Sequence, residues 1–96
     1  MKTQIHPYLS KEQVMEIAQR ALQENKWSYD LEFGLQPLWR GPTNDVFGRE
    51  GQLTSLWIVS FLSPPGPFDQ ESRYVYVDDE AKSALGILTG HNYFFL

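Results

Sequence analysis

Cysteine is absent from this chain of 96 residues, so disulfide bonds, thiolate nucleophiles and thiolate metal ligands are excluded. Long apolar runs are absent as well. No segment approaches the roughly 20 apolar residues that a membrane-spanning helix needs. The first ten residues, MKTQIHPYLS, lack the apolar stretch of a secretory signal. From these absences we expect a protein of the cytoplasm that does not enter a membrane.

Positive charge is scarce, with eight lysines and arginines against 12 aspartates and glutamates and a net charge of −4 at pH 7. The basic residues are scattered, whereas binding to a nucleic-acid backbone depends on clustered lysine and arginine. We therefore expect no nucleic-acid partner. An acidic surface can attract a basic protein, but solubility alone is the simpler explanation for a charge of this size.

Recognisable catalytic and metal-binding motifs are missing too. His6 precedes a proline and His91 lies in a predicted turn, and neither belongs to a nucleophile motif. The acidic run Asp78, Asp79 and Glu80 lacks the alternating spacing and central glycine of a calcium loop. A turn stabilised by aspartate bonds to local amides explains it more simply. We expect no catalytic residues, no metal and no cofactor.

A weaker catalytic alternative involves Asp30 and Glu32. Residues two apart in a strand point to the same face, so these carboxylates could form a general acid–base pair. A solvent-facing strand surface accounts for the same two residues without any reaction.

What the chain does contain is enough apolar material for one core. Hydrophobic residues make up 42% of it and aromatic residues 15%. A chain of this length buries roughly 60–65% of its unfolded surface, which suffices for a single modest core. We therefore expect one domain, residues 1–96.

A helix is predicted between Ser10 and Asn25. Ser10 and Gln13 have the spacing of a capping box. The apolar stripe recurs at helical spacing and consists of Val14, Ile17, Ala18, Ala21 and Leu22. The opposite face is polar, with Met15 as its one exposed apolar side chain.

The next segment, residues 27–35, alternates between apolar and polar side chains. Its odd positions are Trp27, Tyr29, Leu31, Phe33 and Leu35. Period-two alternation is typical of a strand with one buried and one wet face. Pro37 then ends this strand or places it at an edge of the sheet.

Further strands are expected along the rest of the chain. Val46 and Phe47 fit a short strand, and residues 53–62 form the most hydrophobic strand, which we expect at a central position of the sheet. Residues 74–77 and 85–88 follow as strands, and residues 93–96 form an apolar end that docks on the fold. The predicted fold class is α+β, with one amino-terminal helix packed on a four- to five-stranded antiparallel sheet.

Two places have the composition of a recognition surface. The loop from Pro64 to Phe68 is stiffened by prolines, and it carries Phe68 beside acidic side chains. Trp39, followed by Arg40, is the second candidate, because Trp and Arg are frequent in interface hot spots. Packing over the open edge of the core is the simpler alternative for both aromatic residues. The candidate partner-binding residues are Phe68, Asp69, Glu71, Asp78, Asp79, Glu80 and Trp39.

The order of elements and two short motifs resemble a known group of proteins. The motif W-x-V-x-F at Trp57, Val59 and Phe61 precedes the run Tyr74–Asp78, and both follow an amino-terminal helix. In these features residues 10 to 95 resemble small α+β immunity proteins encoded beside bacterial polymorphic toxins and, more loosely, PepSY-like and cystatin-like modules. The resemblance implies a helix across a meandering sheet and a role as a toxin inhibitor.

We therefore expect a non-catalytic inhibitor that binds a partner protein, such as a basic toxin domain, and covers its active site. The alternative is a small-molecule-binding or structural domain with a cavity between helix and sheet, which the 14 aromatic residues suggest. In either case an unpaired edge strand could join two copies into a homodimer.

Overall fold

One helix lies across one face of a five-stranded antiparallel sheet, which confirms the predicted fold class. The computed structural model describes residues 6–96. The elements are α1 (Lys11–Glu24), β1 (Gln36–Thr43), β2 (Thr54–Leu62), β3 (Ser72–Asp78), β4 (Ser83–Leu88) and β5 (Tyr93–Phe95). The strands pair in sequence order, so each strand is joined to its neighbour by a hairpin connection. Within residues 6–96, the structure contains no helix of the length and apolarity that crossing a membrane requires.

Helix α1 begins where the capping box predicts. Ser10 is the N-cap, its side chain accepts the Gln13 amide at 3.2 Å, and the Gln13 side chain accepts the Ser10 amide at 2.8 Å. Together these bonds satisfy amides that the first helical turn leaves without partners. Met15 differs from expectation, because it is partly buried and packs against the core. The polar face of the helix therefore lacks the exposed apolar anchor that the sequence predicts.

The core lies between the helix and the sheet. Alternate residues of the three inner strands point toward the helix, and β2 places Trp57, Val59 and Phe61 on this side. The fully buried side chains of this layer are Val14, Ala18, Leu22, Val59, Phe61, Val75, Val77 and Ile87. Burying a side chain of this size stabilises the fold by about 1.5–3 kcal/mol relative to exposure, so this layer dominates the folding energy.

The strand predicted at residues 27–35 does not form. The segment is irregular and contains a turn at residues 31–33. The carboxylate of Asp30 accepts the amides of Glu32 and Phe33 at 2.9 and 3.2 Å, and Gly34 adopts a φ of +70°. Local bonds from an aspartate side chain thus override the alternation. As a result, Asp30 and Glu32 do not share a strand face, which removes the geometry of the acid–base alternative.

The first strand instead lies at residues 36–43 and contains two prolines. Pro37 and Pro42 are tolerated because β1 is an edge strand that pairs only with β2. Of the two outcomes expected for Pro37, placement at an edge is the one observed. A β-bulge between Trp39 and Gly41 interrupts the register.

The remaining strands follow the prediction closely, with one exception. The strand expected at 53–62 is β2, one of the three inner strands, and those at 74–77 and 85–88 correspond to β3 and β4. The apolar end at residues 93–96 docks on the fold by pairing with β4 as β5. Val46 and Phe47 form no strand and lie in the loop between β1 and β2. Val46 is buried there, whereas Phe47 stacks on a ring of β5. Two residues are too few for the sequence pattern to distinguish a short strand from a loop.

Candidate functional site

Three loops lie side by side at the end of the sheet where β2 ends and β3 begins. They are the turn at residues 30–34, the β2–β3 loop at residues 63–71 and the β4–β5 turn at residues 89–92. We call this set the loop row. The middle loop is bonded to both neighbours: Gln70 donates to the Asp30 carboxylate at 2.7 Å, and the Gly90 amide donates to the Glu71 carboxylate at 2.7 Å. The row is therefore one connected surface.

The middle loop is stiff and carries a bare aromatic ring. Its base is closed because the Ser63 amide donates to the Glu71 carbonyl at 2.9 Å and the Glu71 amide donates to the Ser63 hydroxyl at 2.8 Å. Three of the residues between them are prolines, which fix φ. Phe68 is 86% exposed, more than any other large apolar side chain of residues 6–96.

The first loop of the row carries a second exposed apolar side chain. Leu31 is 79% exposed at the turn that Asp30 stabilises, and it lines one shallow groove together with Pro65 of the middle loop. The Asp30 amide donates to the Leu62 carbonyl at 3.0 Å, which fixes this turn to the end of β2. Leu31 and Phe68 thus project from loops that are anchored to the sheet and to each other.

Two carboxylates of the loop row hold the loops together. The hydrogen bond from Gln70, followed by the amide of Phe33, lowers the pKa of Asp30 below its ordinary value of 3.8. The amide of Gly90 and the guanidinium of Arg73, at 2.9 Å, lower the pKa of Glu71 below 4.5. In both cases the bonds favour the charged form. Both side chains therefore remain ionised at neutral pH and brace the loops.

Three of the predicted binding residues belong to the loop row. Phe68 and Asp69 are exposed at its tip, whereas the Glu71 carboxylate bonds to Gly90 and Arg73. Glu71 therefore supports the surface, and Phe68 and Asp69 are available to a partner. Glu32, which is also exposed, lies in the neighbouring turn and adds a further carboxylate to the same end.

The acidic run predicted to bind lies at the opposite end of the sheet. Asp78 is buried, accepts the amides of Glu80 and Ala81 at 2.9 and 3.2 Å, and pairs with Arg49 at 2.7 Å. The bonds to local amides confirm the turn interpretation. Asp79 is fully buried, and Glu80 alone of the three is exposed. The run therefore stabilises a turn and offers a partner one accessible carboxylate.

Trp39 lies on the helix side of the sheet. Its ring is 5.3 Å from that of Trp57, and it packs against the buried cluster while remaining half-buried. This position matches the packing alternative for Trp39 over the core's edge. Arg40, the next residue, is exposed.

Leu31 is the site residue that the sequence prediction missed. Strict alternation placed it inside a strand, although Asp30 and Gly34 flank it at the spacing of an aspartate-capped turn closed by a left-handed glycine. The sequence Asp-Leu-Glu-Phe-Gly was thus the available signal. The alternation over residues 27–35 favoured a strand more strongly than these five residues favoured a turn.

The space between helix and sheet is filled by side chains, and the clefts bordering the helix open to solvent. One cleft of about 270 Å³ lies beside the second half of the helix and is lined by Ile17, Lys82 and Leu96, among others. Across residues 6–96, the structure brings together no group of three or more histidine, aspartate or glutamate side chains suited to holding a metal ion. The loop row is therefore the candidate site.

Comparison of the chain with protein-family models, with curated protein sequences and with solved structures finds no match.

Proposed function

We propose that this chain is a non-catalytic protein of the cytoplasm that binds a partner protein through its loop row and occludes the partner's active site. The resemblance to immunity proteins gives the partner its class, a bacterial toxin domain. The loop row gives the contact, with Phe68 and Leu31 as apolar anchors and the carboxylates of Asp69 and Glu32 at the rim.

The single observation that supports this proposal is the exposure of Phe68 on a braced loop. A phenylalanine ring that is 86% exposed gains about 2–3 kcal/mol when a partner covers it completely. The prolines and the bonds to Asp30 and Gly90 already hold the loop, so little conformational entropy is lost on binding. Such rigid apolar anchors are characteristic of interface hot spots.

The charge of the loop row indicates what such a partner looks like. The exposed carboxylates at this end complement a basic surface, and complementary charges speed association and select the partner. Many active sites that act on phosphate-containing substrates are basic. A protruding apolar tip with acidic flanks fits into a basic cleft and blocks it by volume, without any reaction of its own.

The binding test uses a photo-reactive amino acid at position 68. We expect cross-links to the product of the adjacent toxin-type gene, co-expressed with this chain. The matched control places the same probe at Leu53, which is 51% exposed and precedes β2 at the other end of the sheet. Equal cross-linking from both positions would contradict the proposed contact.

The affinity test compares Phe68→Ala and Leu31→Ala with Leu53→Ala. We expect each of the first two to weaken binding about tenfold or more, which corresponds to about 1.4 kcal/mol, and Leu53→Ala to bind like the wild type. Rescue of the host from the co-expressed toxin should fall in the same order. A host that is not rescued by the wild-type chain, with no stoichiometric complex recovered, would refute the proposal.

A further inference from the structure

The sheet has a second face, turned away from the helix, that is unusually apolar. We call it the open face. Among the elements of residues 6–96, only the β1–β2 loop lies on part of it, through Phe47 and Arg49. Among the strand residues that alternate toward this side are Leu38, Ile58, Ser60, Tyr74, Tyr76, Asp78, Leu88, Tyr93 and Phe95.

Several of these side chains remain accessible to water. Leu38 on β1 is 59% exposed, Phe95 on β5 is 67% exposed, and Phe47 above β5 is 48% exposed. Ile58 and Tyr76 between them are half-buried. An apolar patch that runs across all five strands is typical of an interaction surface in a protein of this size.

The two margins of the open face differ in chemistry. The β5 margin is aromatic: the ring of Tyr93 lies 4.8 Å from Phe47, 4.9 Å from Phe95 and 5.7 Å from Tyr76. The overlying loop raises this margin above the sheet. The β1 margin is low and carries Leu38, followed by the exposed Arg40.

Arg40 supplies the positive charge of the face. Trp39 faces the helix beside Trp57, so alternation turns the next side chain, Arg40 at the bulge, toward the open face. Burial raises the pKa of Tyr76 on this face, and the Arg40 guanidinium partly opposes this rise. Among the strand residues that alternate toward this side in the described chain, the one carboxylate is Asp78, and Arg49 neutralises it at 2.7 Å. The face therefore combines a cation at one margin with electron-rich rings at the other.

Pairing through strand edges is less available than stacking through this face. Pro37 and Pro42 lack amide protons, and a free edge that contains them is a poor template for another strand. The other edge, β5, has three residues. These features argue against the edge-to-edge homodimer that the sequence suggested.

We propose that two copies of this chain associate face to face through their open faces, about a twofold axis parallel to the strands. This axis places the β1 margin of each copy over the β5 margin of the other. Arg40 of one copy then meets the rings of Phe95 and Tyr93 of the second copy, twice by symmetry, as a cation–π contact. The low β1 margin of each copy also lies opposite the raised β5 margin of the other, so the two shapes are complementary.

Charge selects this arrangement over the other symmetric one. With the twofold axis perpendicular to the strands, the two β1 margins would face each other, and the two Arg40 guanidinium groups would be opposed. Like charges placed together across an interface are unfavourable. The parallel axis gives each cation an aromatic partner and leaves no pair of like charges in contact.

The size of the face is sufficient for a weak dimer. Five strands spaced 4.8 Å apart and averaging about 20 Å in length give the face an outline of roughly 500 Å² per copy, including the part on which the β1–β2 loop lies, or about 1,000 Å² for two. Stable and specific interfaces begin near this total area. We therefore expect a dimer that dissociates in the micromolar range. In it both loop rows point the same way, so the dimer presents two Phe68 tips.

The test is a charge exchange followed by sedimentation velocity, from about 1 μM to about 1 mM protein, the concentration range of weak complexes. Arg40→Glu and Phe95→Lys each replace one half of the contact, and we expect each to shift dissociation at least tenfold toward monomer. The double variant places Glu over Lys in the opposite copy and should restore the dimer. Within one copy, β1 and β5 are about 19 Å apart, too far for the two new side chains to pair.

The control is Phe68→Glu, which removes the loop-row anchor and lies outside the open face. It should dimerise like the wild type, so loss of partner binding and loss of the dimer are separate outcomes. Thermal unfolding of each variant checks that it is folded, and Leu38→Glu repeats the test at an exposed aliphatic position. A wild-type chain that is monomeric throughout, or a double variant that fails to recover, would overturn the inference.

Discussion

The carboxylate of Asp79 accepts a hydrogen bond from the indole Nε1 of Trp57 at 2.9 Å, in the interior of the protein. The same carboxylate accepts the backbone amides of Leu9 at 3.0 Å and Tyr8 at 2.8 Å. One buried side chain thus connects the segment before the helix to β2, and it lies about 70 residues away from that segment in sequence. These bonds satisfy donors that would otherwise be buried without a partner.

Replacement of Asp79 should therefore destabilise the fold strongly. Asp79→Ala leaves an indole and two amides without this acceptor, and we expect the free energy of unfolding to fall by about 3–5 kcal/mol. A domain of this size has only about 5–10 kcal/mol of stability. The urea concentration at the midpoint of unfolding should therefore fall strongly in this variant.

The neighbouring carboxylate provides the matched control for this variant. Glu80 is exposed, and its one described side-chain contact is with the Ser55 hydroxyl at 3.4 Å. Glu80→Ala should change the unfolding free energy by less than about 0.5 kcal/mol, as is usual for surface substitutions. Similar losses for the two variants would mean that Asp79 is not the anchor described here.

Removing the hydroxyl group of Tyr93 should stabilise the fold. Its Oη atom is buried and has no hydrogen-bond partner among residues 6–96, and burial raises the pKa of this phenol to about 12. Tyr93→Phe retains the ring contacts and removes a polar atom that is costly to bury, so we expect a gain of about 1 kcal/mol. Tyr74→Phe, on β3, is the comparison, and a loss of stability on Tyr93→Phe would contradict this account.

Gly86 is required because the ring of Tyr93 lies directly over it. A Cβ atom at position 86 would collide with that ring, whereas at Gly66 it would meet nothing within 4 Å. Gly86→Ala should therefore cost about 1–3 kcal/mol, since Tyr93 would have to leave the aromatic cluster. Gly66→Ala should be neutral or slightly stabilising. Equal melting temperatures for the two variants would contradict the close approach.

The bonds between the loops should weaken in acid. The pKa values of Asp30 and Glu71 are lowered in the folded chain, so their contribution to stability is fully present above their ordinary values of 3.8 and 4.5. It is lost as the pH falls through the lowered values. In Gln70→Ala, carboxyl NMR titration should show a higher pKa for Asp30, because the hydrogen bond from Gln70 that lowers it most is removed. An unchanged titration would show that Gln70 does not hold this carboxylate.

The amino-terminal half of the chain shows how local signals compete. The capping box at Ser10 and Gln13 predicted the start of the helix correctly, because both bonds form within four residues. The alternation over residues 27–35 misled, since the turn bonds of Asp30 decide that segment. Pro37 allowed either a strand end or an edge position, and the pairing of β1 with β2 alone decided for the edge.

The predicted binding residues also differ in how far local sequence determines their position. Exposure of Phe68 followed from the three prolines around it, which exclude the loop from the sheet. The turn at Asp78 was predicted, but the burial of Asp78 and Asp79 was not, because three consecutive acidic residues look alike in sequence. Their burial depends on Arg49, Trp57 and the backbone before the helix, which are distant along the chain.

The sequence alone determined the fold class, the helix and strands β2, β3 and β4, because spacing of apolar residues and capping chemistry act over a few positions. The tertiary structure decided which end of the sheet is exposed to partners, which carboxylates are buried, and that one face of the sheet remains largely uncovered by the described elements. These properties arise from contacts between residues far apart in the chain. No local pattern encodes which distant groups will meet.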